Sequence, residues 1–243
     1  MTHPTTAPTP APPDRRTPPP RRSWWRRPWI APLALLSVAF VAFSVPPYTT
    51  LDPGQARLPV HDDLAWHYPV LVTHIFAGAL LTLLAPLQVW PWLRRRHPAV
   101  HRWSGRAYVL VGVPLVGVPG LLLGPLSSTG PDTRISNTLW AVLWLTCTAL
   151  GYLAARRRDF ARHREWMLRS FVLLYGVALN RIVLVLLALL MLPWLHSGFG
   201  GDVEAMILSV AASSSYLSWV LPLIAVEWWL AYRTPRRLRT PVR

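Results

Sequence analysis

Six stretches of this chain stay apolar for about as long as a membrane is thick. They fall at roughly residues 29–47, 69–92, 106–124, 138–155, 166–193 and 206–232. Crossing the hydrocarbon core takes about 20 mainly apolar residues. Backbone in lipid must also satisfy its own hydrogen bonds, which leaves the helix as the natural solution for such runs. The pattern predicts an all-α fold: a polytopic membrane helix bundle with six transmembrane helices. Composition agrees. Hydrophobic residues make up 52% of the 243, and charged residues 14%, where a soluble domain carries about 25%. The mean hydropathy is +0.30.

The net charge of +15 comes entirely from arginine. In a soluble chain such a balance points to nucleic acid. Here the arginines sit at the ends of apolar runs, which makes them topology signals, so no nucleic-acid partner is expected. The segment before the first span, the 93–106 and 156–169 connections and the C-terminal tail hold twenty-two of them, whereas the alternate connections hold only Arg57 and Arg134. The positive-inside rule then puts both termini in the cytoplasm. Trp90, Trp92, Trp103, Trp166, Trp228 and Trp229 lie at span ends, where interfacial aromatics belong. The expected setting is the bacterial inner (cytoplasmic) membrane, multi-pass, with the lipid bilayer as the first partner.

Residues 1–28 are rich in Pro, Thr and Arg and read as a disordered cytoplasmic tail. Residues 29–232 form the six-span domain, and 233–243 a basic cytoplasmic tail. The first run lacks a small-x-small cleavage site, so it reads as a retained span rather than a signal peptide. Spans two to six are expected to make the core, with span one peripheral. Pro86, Pro114 and Pro119 fall inside spans and should kink them. Gly112, Gly117, Gly120 and Gly124 read as close-approach positions for neighbouring helices.

Several polar residues recur in these runs in a pattern that resembles a known family. His74-Ile75 is followed by Gly78-Ala79 and Pro86-Leu87-Gln88. Next come Arg94-Arg95-Arg96-His97-Pro98 and His101-Arg102-Trp103 with Gly105-Arg106 and Tyr108. Later stand Arg158-Asp159, His163, Trp166-Met167-Leu168-Arg169-Ser170 and Arg181, then Trp219 and Glu227-Trp228. Over about residues 70–232 the chain resembles the bacterial membrane proteins catalogued as domain-of-unknown-function family 2306. The resemblance implies a membrane domain and no function. Ala85 stands where the family pattern leads one to expect Gly, which weakens any expectation of tight helix contact there. Pro222 stands where Asn is expected.

Ionisable residues inside a span are costly and are functional candidates by default. His101 and His163 open the third and fifth spans from the same side, so they can be level. Two facing imidazoles can hold a haem b as axial ligands, or can form an ordinary interfacial pair. His74, near the outer end of span two, is either a further ligand or an interhelical hydrogen-bond partner. His163, Ser170, Val177 and Arg181 share one helix face. Arg181 and the adjacent Asn180 are expected near mid-membrane, facing the interior with Ser213, Ser214, Ser215 and Ser218. Arg181 is either a hydrogen-bonding hub or a contact for an anionic group such as a haem propionate or a quinone oxygen. Glu227, with Arg106 and Arg169 at the same end, is either an ion-pair partner or a proton relay. Gln88 completes the intramembrane polar set. No metal pattern is recognised, and the His61-Asp62-Asp63, His67 and His196 group reads as solvated loop. Enzymatic activity is left open. Three functions follow: a b-type haem electron-transfer protein with a quinone or redox partner, a small-solute or proton-coupled transporter, and a non-catalytic scaffold or partner subunit.

Overall fold

The computed structural model describes residues 29–233, so the 1–28 tail and most of the C-terminal tail lie outside the described residues. The described residues are mostly helical, with no strand among them. Helix α1 covers Ile30–Ser44, α2 His67–Val89, and the short α3 Pro91–Arg96. Helix α4, Pro98–Gly112, runs through a π-helical turn, Val113–Gly117, into α5, Val118–Leu123. Helix α6 covers Pro131–Arg156, α7 Phe160–Met191, α8 Leu195–Phe199 and α9 Val203–Arg233. Six of the resulting helical stretches are long and apolar enough to cross a membrane: Ile30–Tyr48, His67–Val89, Pro98–Leu126, Pro131–Arg156, Phe160–Phe199 and Val203–Tyr232. With an even number of spans, Ile30 and Arg233 lie at one end, called here the arginine-rich end.

Most helices start earlier than the apolar runs that announce them, because hydropathy does not register polar first turns. Helix α4 begins at Pro98, where a missing N–H costs nothing. Helix α7 begins after Asp159, whose carboxylate accepts the Arg162 N–H at 3.0 Å. The α6–α7 turn is closed by the Asp159 N–H donating to Ala154 O at 2.9 Å and the Arg158 N–H to Ala155 O at 3.0 Å. Arg158 takes the left-handed conformation this turn needs, at φ 60°. Pro114 and Pro119 each remove a backbone donor, and the helix between α4 and α5 widens into a π turn. There the Val118 N–H reaches back five residues to Val113 O. Pro86 sits inside α2, which continues to Val89.

The core draws on every span from the second to the sixth: Leu81 and Ala85, Tyr108 and Val116, Trp144 and Cys147, Leu173 and Tyr175, and Trp219. Trp144 is wholly buried. Helix α1 lies outside this core with only Ser37 buried, where it meets the Tyr175 hydroxyl at 2.6 Å. Ala85 is also wholly buried, which corrects the expectation of a looser contact there: a methyl group fits where glycine was expected.

Glycine matters most around Trp144. A Cβ on Gly112 would stand 2.6 Å from Leu81 Cδ2 and 3.0 Å from Trp144 Cη2, and one on Gly117 would stand 3.0 Å from Trp144 Cζ3. By contrast, a Cβ on Gly78 would meet nothing within 4 Å. Gly112→Val should therefore overpack a fully buried site and cost about 1–3 kcal/mol. It should appear as a lower melting temperature of the detergent-solubilised protein, with Gly78→Ala melting like the parent.

Candidate functional site

At the arginine-rich end, His101 and His163 come within electrostatic reach of each other, with Arg94 and Arg102 beside His101. His163 is held by α6: its Nδ1 donates to Gly151 O at 2.8 Å. In a neutral ring that bond puts the proton on Nδ1 and the lone pair on Nε2. His101 is partly buried, and its Nδ1 has no hydrogen-bond partner. Among the described residues only one other buried side-chain polar atom, the Tyr68 hydroxyl, is in that state. The Gln88 amide donates to His101 O at 3.3 Å and to the Ser104 hydroxyl. Gly105 admits this contact, since its missing Cβ would stand 3.1 Å from Gln88 Oε1. His97 is exposed between α3 and α4, against the Trp92 ring at 5.4 Å.

The other charged candidates at this end are partnered. Arg169 Nη2 donates to Glu227 Oε2 at 2.9 Å, and its Nε donates to Oε1, forming a fork between α7 and α9. Arg106 lies 5.0 Å from the Trp103 ring centroid and takes no part in that pair. Arg164 lies over Trp229 at 5.3 Å.

Deeper in the bundle lies a hydroxyl cluster that the sequence pattern did not assemble. The Tyr108 hydroxyl meets Ser170 Oγ at 2.9 Å, Thr148 Oγ1 meets the same Ser170 Oγ at 2.7 Å, and Trp144 Nε1 donates to the Tyr108 hydroxyl at 3.2 Å. Further along α6, Trp140 Nε1 donates to Leu173 O at 2.7 Å. Ser136 Oγ accepts from Trp219 Nε1 at 3.1 Å and from Ser215 at 2.9 Å. Ser136, Trp140, Trp144 and Thr148 are spaced by four, so they line one face of α6. That spacing was a signal available in the sequence.

Toward the opposite end, His74 Nδ1 donates to Val116 O, in the π turn, at 3.0 Å. Along α2, His74 stands fourteen residues, about 21 Å, from Gln88 at the His101 site. The structure therefore places His101 and His163 at one end of the bundle, within electrostatic reach, and leaves His74 apart. His61 Nε2 bonds Leu126 O at 3.0 Å, and its ring meets His67 at 4.9 Å. His196 is exposed beside the Gly200–Gly201 turn. Among the described residues, no three His, Cys, Asp or Glu side chains converge on a point where they could hold a metal ion.

The interior polar path is corrected. Arg181 is exposed, not turned to the interior, and Ser213 is exposed as well. Asn180 bonds Ser214 Oγ at 3.4 Å, one residue from Ser215 and its Ser136 partner near the start of α6. Arg181 is thus level with the end of the shorter spans, about 27 Å from His163 along α7, and not near mid-membrane. Ser214, Ser215 and Ser218 are buried in helix contacts.

Six apolar helices, a core built from five of them, and charge gathered at one end define a polytopic helix-bundle membrane protein. The profile of the family described as "Predicted membrane protein (DUF2306)" matches residues 71–229, so the chain belongs to that family. No curated protein and no solved structure matches it.

Tyr108 and Ser170 offer a direct test of the buried cluster. Ser170→Ala leaves a buried phenol short of a partner and should cost about 1–2 kcal/mol. Tyr108→Phe in the same background should cost only what the stranded Trp144 N–H adds, less than in the parent. A double-mutant cycle on thermal stability in detergent should return a coupling near 1 kcal/mol, and additive effects would rule out the bond.

Proposed function

We propose that the chain binds a b-type haem and transfers electrons in the membrane, with His101 and His163 as the axial ligands. The observation that carries this reading is the contrast between the two rings. His163 is oriented by a carbonyl behind it, with its far nitrogen left free, as the outer contacts of ligating histidines do. His101 has a buried ring nitrogen with no partner, in an interior where nearly every polar group has one. A ligand would satisfy that nitrogen. Arg94 and Arg102, near His101, carry the positive charge that haem propionates need. A haem held between two imidazoles supplies a one-electron carrier. A quinone or a redox protein docking at this end is the partner that such a carrier would serve. His74, with its own carbonyl contact, is a separate candidate toward the other end.

A scaffold or partner-subunit role is the second reading. It is favoured by the hydroxyl and indole contacts of α6 and by the Arg169–Glu227 fork, which act as ties between helices. Transport has less support, because Arg181 and the buried serines do not line one path.

The test is the absorption spectrum of the full-length protein, purified after expression with added haem and then reduced with dithionite. The haem reading expects the narrow reduced bands of a six-coordinate b-type haem. His101→Ala and His163→Ala should each lower bound haem by about tenfold or more, with the melting temperature of the haem-free protein largely retained. A colourless protein, or haem undiminished in both variants, would overturn the assignment and leave the scaffold reading.

A further inference from the structure

The third and fourth spans run antiparallel, close at one end and parted at the other. Beyond the π turn they touch: a Cβ on Gly120 would stand 3.5 Å from Ala141 Cβ, and one on Gly124 would stand 3.1 Å from the Thr138 backbone N. Toward the arginine-rich end α4 and α6 leave an apolar groove of about 410 Å³ between them, the size of a ligand cleft. Val109, Leu110 and Val113 line it from α4, and Ala149, Tyr152 and Leu153 from α6. Each wall continues one turn further, on the same face, into an arginine. Arg106, Val109, Leu110 and Val113 keep the i, i+3, i+4, i+7 spacing of a single stripe, and so do Ala149, Tyr152, Leu153 and Arg156. At roughly 100° per residue, each arginine lies within about 20° of the middle of its wall. Counting back from Gly120 on one helix and on from Ala141 on the other brings Arg106 within about a turn of the depth of Arg156, the last residue of α6.

We propose that this groove holds an acyl chain of an anionic phospholipid, whose phosphate binds Arg106 and Arg156. The Arg156 guanidinium already sits at the rim: its Nη1 donates to the hydroxyl of Tyr152, a wall residue, at 3.0 Å. Side chains on a helix lean toward its N-terminus, which turns Arg156 back over the groove. Arg106 lies 5.0 Å from the ring centroid of exposed Trp103, an aromatic of the kind that marks headgroup depth. Both arginines are exposed, and neither takes part in an ion pair among the described residues. An apolar slot capped by cations at its membrane-surface end matches an anionic amphiphile. A neutral lipid would leave the guanidinium groups without an anion, and a soluble anion would leave the slot unused. Basic pockets between membrane helices bind anionic headgroups in this way, and the forked donors of guanidinium match phosphate oxygens. The site includes neither His101 nor His163 and does not depend on any haem there.

The experiment is native mass spectrometry of the full-length protein in detergent, titrated with phosphatidylglycerol, phosphatidylcholine or inorganic phosphate. The parent protein should favour phosphatidylglycerol over phosphatidylcholine. Arg106→Gln or Arg156→Gln should each weaken that preference about fivefold, the effect of one arginine near a charged headgroup, and the double variant should abolish it. The Arg106→Lys/Arg156→Lys variant should keep much of it, which separates lost charge from misfolding. Arg164→Gln, at the same end but over Trp229, should leave it intact. Ala149→Phe fills the groove from an exposed position with both arginines in place, and should lose phosphatidylglycerol binding. Equal binding of the two lipids by the parent, an undiminished preference in the double glutamine variant, or undiminished binding in Ala149→Phe overturns the proposal. So does a dimer that shows no lipid preference and is broken by Ala149→Phe, which would give the groove to a second copy of the chain. Displacement of phosphatidylglycerol by millimolar inorganic phosphate overturns the lipid and assigns the arginines to the soluble ion.

Discussion

One face of α6 ties this bundle together. In lipid there is no hydrophobic drive to press one apolar helix against another, so association rests on close packing and on hydrogen bonds between helices. Ser136, Trp140, Trp144 and Thr148 provide polar contacts on a single stripe, and each reaches a different place: α9, the α7 backbone, α4 and the α7 side chains. Removing α6 would leave the Trp219 N–H without its acceptor and reduce the α4–α7 cluster to the single Tyr108–Ser170 bond. The indole of Trp144 sets a second condition, because a ring that large at the centre needs bare backbone opposite it. Gly112 and Gly117 supply that on the neighbouring span, and the proline-induced π turn shapes the same segment.

The two ends of the bundle are built differently. At the arginine-rich end the connections are short and pinned. A single residue separates α3 from α4, and the α6–α7 turn is closed by backbone bonds and the Asp159 cap. This restraint places His101 and His163 on helices whose starts are fixed, so their relation is set by structure and not by loop motion. At the opposite end, α9 begins twelve residues before Ser215, whereas α6 begins only five before its partner Ser136. Helix α9 and its connection to α7 therefore stand about 10 Å beyond the start of α6. Exposed Leu189, Leu190, Trp194 and Ile207 belong to this overhang.

Spans, their number and the packing role of the glycines were legible because hydropathy and residue size are local properties. Helix starts were not, since Arg162, His163, Arg164 and Glu165 carry polar side chains on two turns that an apolar count discards. Arg181 was misplaced for a related reason: the 166–193 run was treated as one membrane-thick slab, although α7 is longer than the slab. Its depth follows only from cross-helix contacts, Asn180 with Ser214 and Ser215 with Ser136. The α6 stripe was written in the chain but hidden by convention. Tryptophan counts as apolar in a hydropathy scan, while its N–H is an obligate donor once buried.

The seam between α7 and α9 shows what the polar contacts accomplish beyond stability. Arg169 meets Glu227, Gly176 meets Trp219, and Asn180 meets Ser214. Moving outward along α7, each partner steps back along α9 by nearly the same number of residues, so one antiparallel register holds from the arginine-rich end to the overhang. Pro222 lies within this stretch without breaking it, because α9 continues unbroken to Arg233. The Arg169–Glu227 pair is half in solvent on the glutamate side, so its energy is small. Its geometry is specific, however: a forked pair at one end and a glycine fitted against the Cα and Cβ of Trp219 further in exclude sliding by a turn. A slip of four residues would drive the Trp219 side chain into a residue other than Gly176 and separate the fork. Register, more than binding energy, is what these residues impose, and it is the same register that brings Ser215 and Trp219 to Ser136 on α6 and so locks α7, α9 and α6 into one arrangement.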